Sequence, residues 1–174
     1  AWLDTGNDKI GLASELMPFA GISFLWFIGV VRDGMGRLED RFFSTVFLGS
    51  GLLFLAMMFA SAAVGAGLVE SRHYAGGAIT DSSVGVFGQM LLLKLSKTYA
   101  LRMAGVFMMS LATIWLRTGL MPRWLVIISY VAALTLTIGG DASMWLTLAF
   151  PAWVLVVSVL LLVRAGVFES HRDD

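Results

Sequence analysis

Two opposite charges fall inside stretches of sequence that are otherwise apolar: Glu15, in the run from Ile10 to Val31, and Arg102, in the run from Thr98 to Leu116. An ionisable side chain held in hydrocarbon is costly, so each is a candidate functional group by default. Helix rise puts Glu15 about 24 Å and Arg102 about 22 Å from the ends of their runs at Val31 and Arg117. Both runs lead toward arginines, so the spacing predicts that the two charges reach one level. The chemistry expected there is an ion pair or a hydrated pocket for a solute or proton, with the Tyr99 hydroxyl nearby. Bland readings carry more weight. Arg102 can snorkel to headgroups, Glu15 can sit at the interface if the helix starts at Pro18, and a pair can simply fix which helices touch.

Few other residues suggest chemistry. With no cysteine, disulfides, thiolate metal sites and cysteine nucleophiles are excluded. His73 and His171 are expected on opposite sides of a membrane, which argues against a shared metal. The ten methionines, including Met57-Met58 and Met108-Met109, read as core filler rather than copper ligands. Asp141 follows Gly139-Gly140 and reads as a turn residue. No phosphate loop, metalloprotease helix or nucleophile constellation occurs. The expectation is a chain without catalytic residues, metal or cofactor. A formal net charge of zero implies no nucleic-acid partner.

The elements that carry these residues are membrane spans. Hydrophobic residues make up 58% of 174, above the roughly 45–50% of soluble domains. Apolar runs recur at the length of about 20 residues that a bilayer requires. They are continuous rather than alternating, which favours helices over a barrel. The fold class expected is all-α: a polytopic transmembrane bundle forming one domain over 1–174. Its five visible spans lie at about 10–31, 42–69, 98–116, 122–139 and 142–163. Pro122 should open the fourth, and Gly139-Gly140 close it. Pro18 and Pro151 should kink the first and fifth, and Gly49-Ser50-Gly51 could let the second bend. Residue 1 is Ala, so a preceding signal peptide or further span is expected, six spans being favoured.

The connector 70–97 is the only substantial region outside the spans. Val84, Phe87, Leu91 and Leu95 fall at helical spacing after a cap at Thr80 or Asp81. An amphipathic external helix is expected there, packing its apolar stripe on the bundle, with contact to a partner as the alternative. An unbroken helix from Ser82 to Leu116 would be about 52 Å long, so a bend near Ser96–Thr98 or a projection above the membrane is expected.

Arg32, Arg37, Arg41, Arg117, Arg123, Arg164 and Arg172 gather at alternate connectors and the C-terminus. The positive-inside rule then puts the first and third connectors and the C-terminus in the cytoplasm. Trp115, Trp124 and Trp145 are expected as interfacial anchors, and Trp26 and Trp153 as packing groups. In the second span Ser61 and Gly65, Ala62 and Ala66, Ala63 and Gly67, and Ala56 and Ala60 stand four apart, a spacing that lets helices approach closely.

Several segments together carry a resemblance: Glu15-Leu16-Met17-Pro18-Phe19-Ala20-Gly21, the Trp26-to-Asp33 ending, Glu39-Asp40-Arg41-Phe42-Phe43-Ser44-Thr45-Val46, Tyr99-Ala100-Leu101-Arg102-Met103 and the Arg117-to-Trp124 turn. Over most of its length the chain resembles uncharacterised multi-span, six-helix integral membrane proteins of actinobacteria. The resemblance implies a bacterial plasma membrane and a missing first helix, and brings no binding residue or reaction with it. Two functions are expected to compete. One is a non-catalytic subunit or accessory protein of a larger membrane complex, its partners being membrane lipids and either other membrane subunits or further copies of the chain. The other is a small transporter or a lipid- or solute-binding protein that uses Glu15 and Arg102. No internal repeat marks inverted transporter halves.

Overall fold

Long apolar runs satisfy their backbone groups as helix, and helix is what forms, even across Pro18 and Pro151. The computed structural model describes residues 2–35, 41–75, 83–139 and 146–164. These form α1 (Trp2–Met35), α2 (Arg41–Ala75), α3 (Ser83–Leu93), α4 (Leu101–Thr118), α5 (Arg123–Gly139) and α6 (Leu146–Arg164), with a π-helical segment at Lys94–Ala100 joining α3 to α4. No strand occurs among the described residues. By length and composition, Gly11–Gly34, Arg41–Ser71, Ser83–Thr118 and Leu146–Arg164 can each cross a membrane, and Arg123–Gly139 is a shorter apolar helix. Trp145, Asp141, His171 and the capping positions Thr80 and Asp81 lie outside the described residues.

Residue pairings run in opposite directions along successive helices, so the bundle is antiparallel. Ser14 meets Ala62, Gly21 meets Phe59 and Ile28 meets Gly51 across α1 and α2. Ser61 meets Leu92, Leu68 meets Gly88 and Gly51 meets Phe107 across α2 and the α3–α4 rod. Thr113 and Tyr130 join α4 to α5, and Ser129 and Trp153 join α5 to α6. One connector is fully described. Gly119, at φ +66°, ends α4 with its N–H on the Trp115 carbonyl, a left-handed cap that favours glycine. The Pro122 carbonyl then accepts the N–H of Leu125, so Pro122 stands just before α5 rather than inside it.

The core centres on Phe107, fully buried on α4. Its ring stacks on Phe47 at 4.4 Å and meets Phe24 of α1 at 5.3 Å, Phe150 of α6 at 6.0 Å and Trp153 at 6.3 Å. Ring pairs at such separations add about 0.5–1.5 kcal/mol each beyond area burial. Gly51 permits this meeting: a β-carbon there would lie 2.9 Å from Ile28 Cδ1 and 3.0 Å from Phe107. Gly51 is therefore a contact point between three helices, and helix is unbroken through Gly49-Ser50-Gly51, as it is through Pro18 and Pro151.

The connector expected outside the bundle is largely helix. α2 continues to Ala75, and the next helix starts at Ser83, where the helical spacing from Val84 to Leu95 placed it. It does not pack its apolar stripe inward. Val84 (68% exposed), Phe87 (66%) and Leu91 face outward, whereas Gly85 and Gly88 are buried. The reason is close approach: a β-carbon on Gly88 would lie 2.8 Å from Leu68 Cδ2, so glycines, not large side chains, fit against α2. Where a bend was expected, at Ser96–Thr98, the helix changes to π geometry and continues. The Leu92 carbonyl just before it accepts hydrogen bonds from the hydroxyls of Ser61 on α2 and Ser96.

The tryptophans also redistribute. Trp124 faces outward as an anchor would, but Trp115 is 2% exposed in the core against Trp153. Trp26, expected to pack, is 74% exposed.

Candidate functional site

The structure keeps the charged candidates apart. Glu15 and Arg102 are both exposed, as is Tyr99 in the π segment, and no ion pair or hydrogen bond joins these three described residues. The level match fails for a geometric reason. Ile28 and Phe107 meet across Gly51; going away from the arginine-rich end, Arg102 is five residues beyond that crossing and Glu15 thirteen, or about 8 Å against about 20 Å. Counting back from each helix end missed this because α1 and α4 do not end in register.

The small residues of α2 divide by face. Ser61 and Gly65 are buried, with the Ser61 hydroxyl donating to Leu92 at 3.2 Å. Ala62 is half-buried, and its carbonyl accepts the Ser14 hydroxyl at 3.3 Å. Ala63, Ala66 and Gly67 face outward, as do Ala56 and Ala60. Ser61 and Gly65 thus face α3, Ala62 faces α1, and the remaining small residues of the set point outward.

The feature that emerges instead is a groove between α1, α2 and α6. It has a volume of about 670 Å³ and is lined by Met17, Ala20, Ser23, Phe24 and Phe27 of α1, Phe54, Leu55 and Met58 of α2, and Phe150, Pro151, Val154, Leu155, Ser158 and Val159 of α6. It exists because α6 docks through one row of large residues. Phe150, Trp153 and Val157 are its buried residues; Trp153 reaches Ser129 of α5 and Trp115 of α4, and Phe150 meets Phe24 of α1 and Phe54 of α2, the groove opening alongside that ring. The wall near Phe150 is aromatic: Phe54 and Phe150 lie 4.7 Å apart, Phe24 and Phe150 5.7 Å, and Phe24 and Phe54 5.4 Å. A smaller hollow of about 290 Å³, sharing Met17 and Met58, extends it toward Ser14 and Gly65.

No family model, curated protein or solved structure matches the chain. The site therefore has to be read from its own chemistry.

The hydroxyls lining the groove are already used. Ser23 donates to the Phe19 carbonyl at 2.9 Å and Ser158 to the Val154 carbonyl at 2.8 Å. In the smaller hollow Ser14 and Ser61 bond to carbonyls of neighbouring helices. What remains is aliphatic, aromatic and thioether surface, suited to an apolar occupant held by dispersion. Among the described residues no group of three His, Asp or Glu could hold a metal ion. The sequence does contain Phe24, Phe27, Phe54 and Phe150, but nothing in their spacing says that three helices bring them together. That follows from the tertiary role of Gly51 and Phe107.

Five arginines gather at the opposite end from Glu15. Arg32 and Arg164 end α1 and α6, Arg41 and Arg123 begin α2 and α5, and Arg117 lies in the last turn of α4. The Arg117 guanidinium sits 4.8 Å from the centre of the Phe43 ring, which ties α4 to the start of α2 in a cation–π contact. Arg164 Nη1 lies 3.9 Å from Met121 Sδ in the α4–α5 connector.

Proposed function

We propose that this chain is a non-catalytic, multi-pass accessory protein or subunit of a larger complex in a bacterial plasma membrane. The observation that supports this reading is the outward face of α2. Ala56, Ala60, Ala63 and Gly67 recur at steps of four, three and four, and all are exposed. Lipid tails supply no hydrophobic drive for helices to associate, so interfaces in membranes form where small side chains let backbones come close. Inside the chain the same device joins α2 to α3 at Gly88; on the outer face the small row is open to another helix. The basic end, by the positive-inside rule, is cytoplasmic.

The test is gentle extraction from native membranes followed by mass spectrometry and oligomer sizing. The wild-type chain should come with a stoichiometric membrane protein or a second copy of itself. Ala60→Leu combined with Gly67→Leu should release that partner while the monomer keeps its helicity. Recovery of the wild type alone and monomeric would defeat the reading.

A second reading, binding of a lipid or other apolar molecule, is favoured by the α1–α2–α6 groove. Its volume lies within the roughly 300–1,000 Å³ range of small-molecule sites. In this reading the binding site is the groove, with Glu15 and Arg102 outside it.

A further inference from the structure

Beyond Phe27 and Ser158 a separate hollow continues the same faces of α1 and α6. One helical turn further along, Val31 on α1 and Leu161 on α6 bound this second hollow, of about 240 Å³, which reaches Arg164. A third, on the other side of Arg164, is lined by the α4–α5 connector. The crevice between α1 and α6 thus has an apolar, aromatic stretch at one end and a guanidinium at the other. Arg164 is exposed, and its contact among the described residues is the soft thioether of Met121 rather than a carboxylate.

Length selects the occupant. From Phe150, where α6 meets Phe24 and Phe54, to Arg164 is fourteen residues, or about 21 Å of helix. Half of a hydrocarbon core is about 15 Å, so this distance matches one acyl chain plus its headgroup. Charge selects the headgroup: an arginine fork holds the phosphate oxygens common to phospholipids through paired charge-assisted hydrogen bonds, and the field of the other described arginines at this end favours a net negative headgroup over a zwitterionic one.

We infer that the α1–α6 crevice holds one anionic phospholipid from the leaflet at the arginine-rich end, its chain along Phe24, Phe54 and Phe150 and its phosphate on Arg164. The inference rests on the lipid-binding reading of the same groove, whatever the outcome for a protein partner.

The experiment uses delipidated full-length protein in detergent, titrated with dioleoyl phosphatidylglycerol or dioleoyl phosphatidylcholine and read by native mass spectrometry. Wild type should retain one phosphatidylglycerol in preference to phosphatidylcholine. Arg164→Gln should weaken retention of phosphatidylglycerol about tenfold, the scale of one lost charge-assisted hydrogen bond, and narrow its margin over phosphatidylcholine by removing one charge of the field, while the chain still binds. Ser158→Trp should fill the groove and remove both lipids, whereas Leu148→Trp, exposed on α6 away from the groove, should change neither. Thermal melting of each variant establishes that the bundle persists. Retention with no headgroup preference would overturn the headgroup assignment and leave the groove as a general lipid site. Binding unaffected by Ser158→Trp would overturn both the inference and the reading beneath it.

Discussion

At the residue scale, a hydroxyl or a glycine stands at the junctions of α1 with α2, α2 with α3, α4 with α5 and α5 with α6. Trp153 donates its indole N–H to Ser129 at 2.8 Å, and Ser129 in turn donates to the Leu125 carbonyl at 2.7 Å, with both side chains buried. Inside lipid such interhelical bonds are worth about 0.6 kcal/mol on average and up to about 1.7. Ser129→Ala also leaves an indole N–H without its acceptor. In a double-mutant cycle of Ser129→Ala and Trp153→Phe, followed by unfolding in mixed detergent micelles, a coupling of about 1 kcal/mol is expected; additive losses would mean the bond contributes nothing. A sequence shows that serine and tryptophan are present, but not that residues twenty-four apart meet. The same limit explains Glu15 and Arg102. Both are conspicuous in sequence because charge is rare in apolar runs, yet run position does not say which face of its helix a charge lies on, and an arginine or glutamate toward the end of a span can reach the headgroups without an internal partner.

At the element scale, the joint between α3 and α4 decides the most. A π segment accommodates an extra residue within a helix, and here it sets the rotation of α3 relative to α4. That rotation turns Gly85 and Gly88 toward α2 while Phe107, Met108 and Leu111 of α4 stay in the core. Deleting Lys97 should restore α-helical phasing and rotate α3 by about 100°, carrying the glycines away from Leu68. Because the chain contains no native cysteine, Leu68→Cys with Gly88→Cys provides a clean readout. The pair should oxidise to an intramolecular disulfide in the full chain and fail to do so in the deletion; cross-linking that survives would show that α3 is not held by this joint. The sequence located the discontinuity near Ser96–Thr98 from length alone. It missed which face turned inward because periodicity identifies an apolar stripe, whereas close packing between membrane helices selects small residues instead.

At the scale of the whole molecule, the all-helical bundle was the most legible property, since bilayer thickness imposes run length directly on sequence. The convergence of arginines at one end was legible too, from their alternation among connectors. Single cysteines at Arg41, Arg123 and Arg164 should therefore react with an impermeant maleimide from one compartment, and Glu70→Cys from the other. Labelling of all four from one side would break the antiparallel arrangement as a membrane topology. The groove was not legible, because it opens alongside the Phe150 ring, and a gap between helices leaves no periodic trace. The turn from Gly119 to Pro122 has a further consequence for biogenesis. α5 has 17 residues, about 25 Å, short of a full hydrocarbon thickness. The turn binds it to the longer preceding helix within four residues. A ribosome-bound chain would thus deliver the two to the translocon as a single hairpin, the shorter arm carried across by the longer.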